Sequence, residues 1–109
     1  MKSDQFSGVA VITVEGDLTG NEAAAVRTAV ERRDPGDGGA CVIDLERCPF
    51  LGSEGLETLL AALRSCESRG AELKLAGLDE NGRTVLQITR LAHRFECCKD
   101  VASAVRVSA

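Results

Sequence analysis

Residues 40–45 (ACVIDL) are apolar almost throughout, and a strand of that composition has to be covered on both of its faces. A chain that carries one must bury it between layers, and the flanking sequence supplies them. Residues 9–14 (VAVITV) are a β-branched run ended by Gly16 and read as a strand. Thr19 and Glu22 then have the spacing of a capping box. Residues 21–33 (NEAAAVRTAVERR) follow as a helix with Ala23, Val26 and Val30 on one face. A turn at residues 34–39 (DPGDGG) stops it.

Past the central run, Pro49 and Phe50 lead into residues 53–69. There Leu56, Leu59, Leu60 and Leu63 give the i, i+3, i+4, i+7 stripe of a long amphipathic helix, ended by Gly70. Residues 72–77 (ELKLAG) alternate, with Leu73 and Leu75 inward, and predict another strand. Asn81 and Gly82 open a shorter helix in which Val85, Ile88 and Ala92 share a face. A short strand at residues 95–98 and a helix over residues 100–107 complete the order, and residues 2–7 add a short antiparallel edge strand. Such alternation means βαβ units. The expected fold class is α/β, a mostly parallel sheet of four to five strands with about four helices. At 109 residues the chain is expected to be a single domain, 1–109.

Charge and composition exclude several functions. The net charge of −4 has the wrong sign for coating nucleic acid through phosphate contacts. Tyr and Trp are absent and only Phe6, Phe50 and Phe95 are aromatic, so base-stacking platforms are missing too. No apolar run approaches the ~20 residues of a membrane span, and the opening MKSDQFSG lacks the apolar core of a signal peptide. A cytoplasmic protein without direct membrane insertion is expected.

The five cysteines, Cys41, Cys48, Cys66, Cys97 and Cys98, are an odd set without a C-x-x-C spacing. His93, Cys97 and Cys98 could be imagined around zinc, but adjacent cysteines suit one tetrahedral ion poorly. Buried thiols acting as small apolar residues in a reducing compartment are the expected reading, with no metal and no cofactor.

Catalytic signatures are missing. Gly52-Ser53-Glu54-Gly55 lacks the G-x-S-x-G spacing of a nucleophile elbow, and no phosphate-binding loop precedes a helix. His93 reads as a surface or helix-end residue, and Glu54, Glu57 and Glu67 as parts of solvated faces. The chain is expected not to be an enzyme.

Open α/β sheets collect their ligands beyond the C-terminal strand ends, at helix N-termini. Two segments qualify: residues 16–19 (GDLT) and residues 50–56 (FLGSEGL). Ser53 allows two readings. At or near the N-cap, its hydroxyl can accept a backbone N–H and contribute about 1 kcal/mol. Equally, a phosphoryl group there would add about −1.5 to −2 charges beside the positive end of a helix dipole.

Residues 42–56 (VIDLERCPFLGSEGL) resemble the signature of the STAS family, the sulphate-transporter and anti-sigma-factor-antagonist domain. Gly16-Asp17-Leu18 is similar to that family's Gly-(Glu/Asp)-Leu-Asp. The resemblance runs from about Val9 to the C-terminus and implies the STAS fold. Within the family the chain looks most like bacterial anti-sigma factor antagonists. That implies a cytoplasmic partner switch that binds an anti-sigma factor acting also as a serine kinase. The kinase would phosphorylate the motif serine, here Ser53, and a cognate phosphatase would reverse it. The implied partner surface is Asp17, Leu18, Thr19, Gly52, Ser53, Glu54, Gly55 and Leu56. The alternative implied by the same family is an accessory subunit that clamps the ATPase of a phospholipid-transport ABC system without control by phosphorylation. The sequence departs from the family pattern at Gly52, where Asp is usual, at Glu54, where a small residue is usual, and at Thr19, where Asp is frequent. Glu54 is expected to weaken phosphorylation of Ser53 or partly to imitate it.

Overall fold

Five strands lie side by side in sequence order, β1 (Lys2–Phe6), β2 (Val9–Thr13), β3 (Cys41–Asp44), β4 (Leu73–Ala76) and β5 (Glu96–Cys98). The computed structural model describes residues 1–6, 8–32 and 39–108. β1 pairs antiparallel with β2, and the remaining neighbours are parallel, with Val11 opposite Val42, Ile43 opposite Leu75 and Leu75 opposite Cys97. Four helices connect and flank them: α1 (Gly20–Glu31), α2 (Ser53–Ser68), α3 (Glu80–Ile88) and α4 (Val101–Ser108). Apart from Gly39, the turn expected at residues 34–39 lies outside the described residues.

The central run behaves as its composition requires. Cys41 and Ile43 point into the larger core, with Ile12, Val26, Leu59, Leu75 and Leu86. Val42 points the other way, against Val9, Val11, Ala76 and Ala104 of α4. Alternate residues of one strand therefore feed two cores.

The second layer changes the reading of β4. Leu73 and Leu75 do point into the main core, but Lys74 between them is only 2% exposed. It lies on the side that α4 covers, and its Nζ stands 3.6 Å from Glu72 Oε2 and 3.7 Å from Glu96 Oε2. The stem is buried and the ammonium is met at the edge by two exposed carboxylates.

Other local expectations are corrected. α3 buries Gly82 and Leu86, not Val85, Ile88 and Ala92. Ile88 is 75% exposed, and Ala92 lies beyond the helix in a 3-10 turn (Ala92–Arg94) together with exposed His93. Gly82 packs on buried Leu78, where a Cβ would come within 2.6 Å of Leu78 Cδ2. On α2, Leu59 and Leu63 are buried with Gly55, Thr58, Ala62 and Cys66, while Leu56 and Leu60 flank the buried face. The capping box does not form. Thr19 is the N-cap of α1 without a side-chain cap bond, the Glu22 N–H donating instead to the Thr19 carbonyl at 3.1 Å, and the Glu22 carboxylate accepts from the N–H of Glu15 at 2.7 Å and the amino group of Met1 at 2.9 Å. Of the cysteines, Cys41 and Cys66 are buried, Cys48 and Cys98 are half-buried and Cys97 is exposed, so the expectation of buried thiols holds only in part.

Candidate functional site

The chain leaves the parallel strands β2 and β3 at the same end of the sheet, and the two segments singled out by sequence lie against each other there. Asp44 closes β3 with an Asx turn, its Oδ1 accepting the N–H of Glu46 at 3.0 Å. The next backbone group, the carbonyl of Arg47, accepts the N–H of Gly16 at 3.1 Å and ties the two loops at their base.

Further out, the loop from β2 makes a tight turn in which the Thr19 N–H donates to the Asp17 carbonyl at 2.9 Å. Asp17 and Thr19 are exposed, whereas Leu18 between them is 1% exposed. Leu18 lies under the first turn of α2. A Cβ on Gly55 would be 3.4 Å from Leu18 Cβ and 2.8 Å from Leu51 Cδ1, so only a residue without a side chain lets the helix sit this low. Leu18 and Gly55 thus shape the surface from beneath, Leu56 and Gly52 are half-buried, and Asp17, Thr19, Ser53 and Glu54 present side chains to solvent.

Ser53 is not the cap of α2. Gly52 occupies the N-cap, with φ −98° and ψ −165°, and no side-chain cap bond is made. Ser53 is the first helical residue, and among the described residues its hydroxyl is not taken up by a partner. The first intrahelical bond runs from the Leu56 N–H to the Gly52 carbonyl at 2.9 Å, so the amides of Ser53, Glu54 and Gly55 stand ahead of it. The exposed hydroxyl therefore sits at the positive end of a 16-residue helix.

Glu54 is engaged elsewhere. Its Oε1 accepts the N–H of Gly20, at the head of α1, at 2.6 Å. Sequence reasoning had no means of finding this bond, which joins residues 34 positions apart.

It also missed the neighbourhood of Phe50. The ring is 61% exposed and borders a cavity of about 360 Å³ between the loop after β3 and the start of α3, with Leu51, Leu78, Asp79 and Val85 in its walls. Cys48 lines the same cavity and donates its thiol to the Phe50 carbonyl at 3.3 Å. Burial raises the Cys48 thiol above its ordinary range, the nearby carboxylates Asp17 and Asp79 acting in the same direction. Such a thiol is a poor nucleophile, which fits its packing role. Among the described residues no group of three or more His, Cys, Asp or Glu side chains is placed to hold a metal ion.

Residues 1–104 match the family described as STAS domain. This chain belongs to the STAS domain family. Solved structures carry the same architecture at low sequence identity. An anti-sigma-factor antagonist (STAS) domain protein from Planctomyces limnophilus superposes with a TM-score of 0.84 at 18% identity, over 98% of this chain and 96% of that one. A sulfate transporter family protein from Wolinella succinogenes gives 0.82 at 18% identity, over 94% and 85%. The Bacillus cell fate determinant SpoIIAA in its phosphorylated form gives 0.73 at 19% identity, over 97% of each chain. None of the curated proteins matches this chain significantly. The STAS architecture thus recurs in proteins named for regulation and in one named for transport. Among the described residues, no helix of this STAS domain is long and apolar enough to cross a membrane.

Proposed function

We propose that this STAS domain is a non-enzymatic partner switch of the anti-sigma factor antagonist type, with Ser53 as its phosphoacceptor. The observation that carries the reading is the position of Ser53: an exposed hydroxyl on the first turn of α2, on a rim shared with Asp17, Thr19 and Glu54. The partner is an anti-sigma factor that is also a serine kinase, and a cognate phosphatase resets the switch in the cytoplasm.

The physics of such a switch is local. A neutral hydroxyl can be buried against a partner at small cost, whereas a phosphoryl group brings about −1.5 to −2 charges that the interface would have to desolvate. The free domain tolerates the same group, because the helix amides and dipole favour an anion there. Modification thus changes the interface far more than the fold. The engagement of Glu54 with Gly20 bears on the expectation that Glu54 imitates a phosphate. Neighbouring helix positions point about 100° apart, and this carboxylate is drawn toward α1. On this reading Ser53, not Glu54, is the switch residue.

The test is affinity capture of the tagged protein from its native host, with mass spectrometry of bait and partners. Recovery of an ATP-binding serine kinase together with phosphate on Ser53 is the expected result, and Ser53→Ala should then hold the kinase while accepting no phosphate. Recovery of a transporter ATPase with Ser53 unmodified would overturn the reading and make the domain an accessory subunit of an ABC system.

A further inference from the structure

Glu54 follows Ser53 on α2, yet its carboxylate serves another helix. The bond from the Gly20 N–H to Glu54 Oε1, at 2.6 Å, is short and charge-assisted. It occupies the place a cap would fill, since Thr19 supplies no side-chain acceptor to α1. Gly20 has φ +52°, a left-handed conformation that glycine adopts without penalty, at the point where its N–H meets the carboxylate. A second, independent contact joins the same two segments: Leu18 lies buried under Gly55, where a Cβ would also come within 3.5 Å of the Leu18 carbonyl oxygen. The loop is thus held from below by packing and at its end by one hydrogen bond.

We infer that Glu54 is a positioning residue that latches residues 17–20 to the first turn of α2, so that the two halves of the surface hold one arrangement and a charge placed on Ser53 is transmitted to Asp17 and Thr19 by loosening the latch. The transmission rests on the reading of Ser53 as the switch residue; the latch itself does not. A phosphoryl group on Ser53 sets about −1.5 to −2 charges in the same helical turn as the Glu54 carboxylate. The bond to Gly20 is solvent-exposed, so the repelled carboxylate can exchange the amide for water at little cost. Leu18 remains as a buried anchor, and the exposed residues on either side of it are released.

The experiment is amide NMR on the full chain, read at Gly20, with phosphoserine encoded directly at position 53 in one sample. In the unmodified protein the Gly20 amide should be shifted downfield and protected from hydrogen exchange. Glu54→Ala should abolish both and disturb residues 17–21, whereas Glu54→Gln, which keeps an acceptor, should restore most of the protection. Phosphoserine should accelerate Gly20 exchange roughly threefold to tenfold in the otherwise native chain, as expected for like charges a few ångströms apart at a protein surface. In the Glu54→Gln background, which has no charge to repel, the change should be less than about twofold. An unaltered Gly20 amide in Glu54→Ala would overturn the latch. Phosphoserine effects confined to residues 50–57 would overturn the transmission. If Glu54→Ala fails to fold, a Gly20 amide that is neither shifted downfield nor protected in the unmodified chain would overturn the latch, and the Gln comparison decides the transmission. Because the phosphate is installed without a kinase, a silent Gly20 leaves the Ser53 reading standing, and an absent kinase leaves the latch standing.

Discussion

Gly77 crosses Glu46 with no space between them: a Cβ on Gly77 would stand 2.9 Å from Glu46 Cβ and 3.0 Å from its backbone nitrogen. Here the exit from β4 passes over the Asx turn that ends β3, at the base of the candidate site. Gly77 also has φ +74° and donates its N–H to the Cys98 carbonyl at 3.2 Å. Gly77→Ala therefore combines left-handed strain with a clash against backbone, which cannot swing aside. The expected loss is about 2–4 kcal/mol. Gly70 is the control, having φ +70° but open space around its would-be Cβ. Gly70→Ala should cost only about 1–2 kcal/mol of strain. Urea midpoints of both variants test this, and equal losses would show that the Glu46 contact carries nothing.

The order of strands and helices was legible because it depends on periodicity and turn residues, which are local. The central strand was read as covered on both faces, and Cys41, Val42 and Ile43 are so covered. What was not legible depends on partners distant in sequence. Lys74 looked like the polar half of an alternating strand because nothing local tells that α4 lies over it. Thr19 and Glu22 had the spacing of a capping box, but Glu15 and Met1 take the Glu22 carboxylate. The buried face of α3 was not legible, because it is made of Leu86 and of Gly82, which carries no apolar signal. At the candidate site the sequence marked both segments and Ser53, but not that Leu18 and Gly55 lie beneath the surface or that Glu54 bridges to Gly20.

Burial of Lys74 leads to a prediction about charge. Its two partners are 68% and 58% exposed and lie 3.6 and 3.7 Å away, so solvent screens them and the pairs add little. Most of the stabilisation comes from the stem. Lys74→Met keeps that volume and loses the charge, and its stability should stay within about 1 kcal/mol of the parent. Lys74→Ala should lose about 2–3 kcal/mol, because α4 and the sheet cannot fully close the space. A larger loss in the Met variant than in the Ala variant would show that the ion pairs dominate.

Gly52 stands at the N-cap of α2 in an extended conformation open to any L-residue. Aspartate there would accept an amide of the first turn and reduce the freedom of the unfolded chain. Together these should add about 0.5–1 kcal/mol. A Cβ at this position meets Phe50 Cε1 at 2.8 Å, but the ring is 61% exposed and can swing outward. Gly52→Asp should therefore raise the melting temperature by roughly 2–6 °C. A fall instead would show that the Phe50 ring is fixed in place and cannot yield.

The thiols give the domain a predictable alkaline limit. Loss of hydration beside neighbouring groups is the leading cause that raises half-buried Cys48 and Cys98, and Cys97 although its side chain is exposed, above the ordinary value of 9.0, with Arg83 pulling Cys97 back in part. In the unfolded chain these groups ionise at their ordinary value, so the folded state holds their protons to higher pH. The stabilisation is present in full below pH 9 and is lost as pH rises through the higher folded values. Urea midpoints should accordingly be flat in this respect from pH 7 to 8.5 and fall beyond pH 9, and the fall should be shallower in a Cys48→Ala, Cys97→Ser, Cys98→Ser variant. Reactivity follows the same order. Exposed Cys97 should react first with a chromogenic disulfide reagent, slowly at pH 7.5 and about tenfold faster per pH unit up to its ionisation, since only the thiolate attacks. Buried Cys41 and Cys66 should react only as fast as the domain opens. Rapid labelling of Cys97 at pH 7, or an alkaline fall of equal size in the triple variant, would contradict the assignment of lost hydration as the cause.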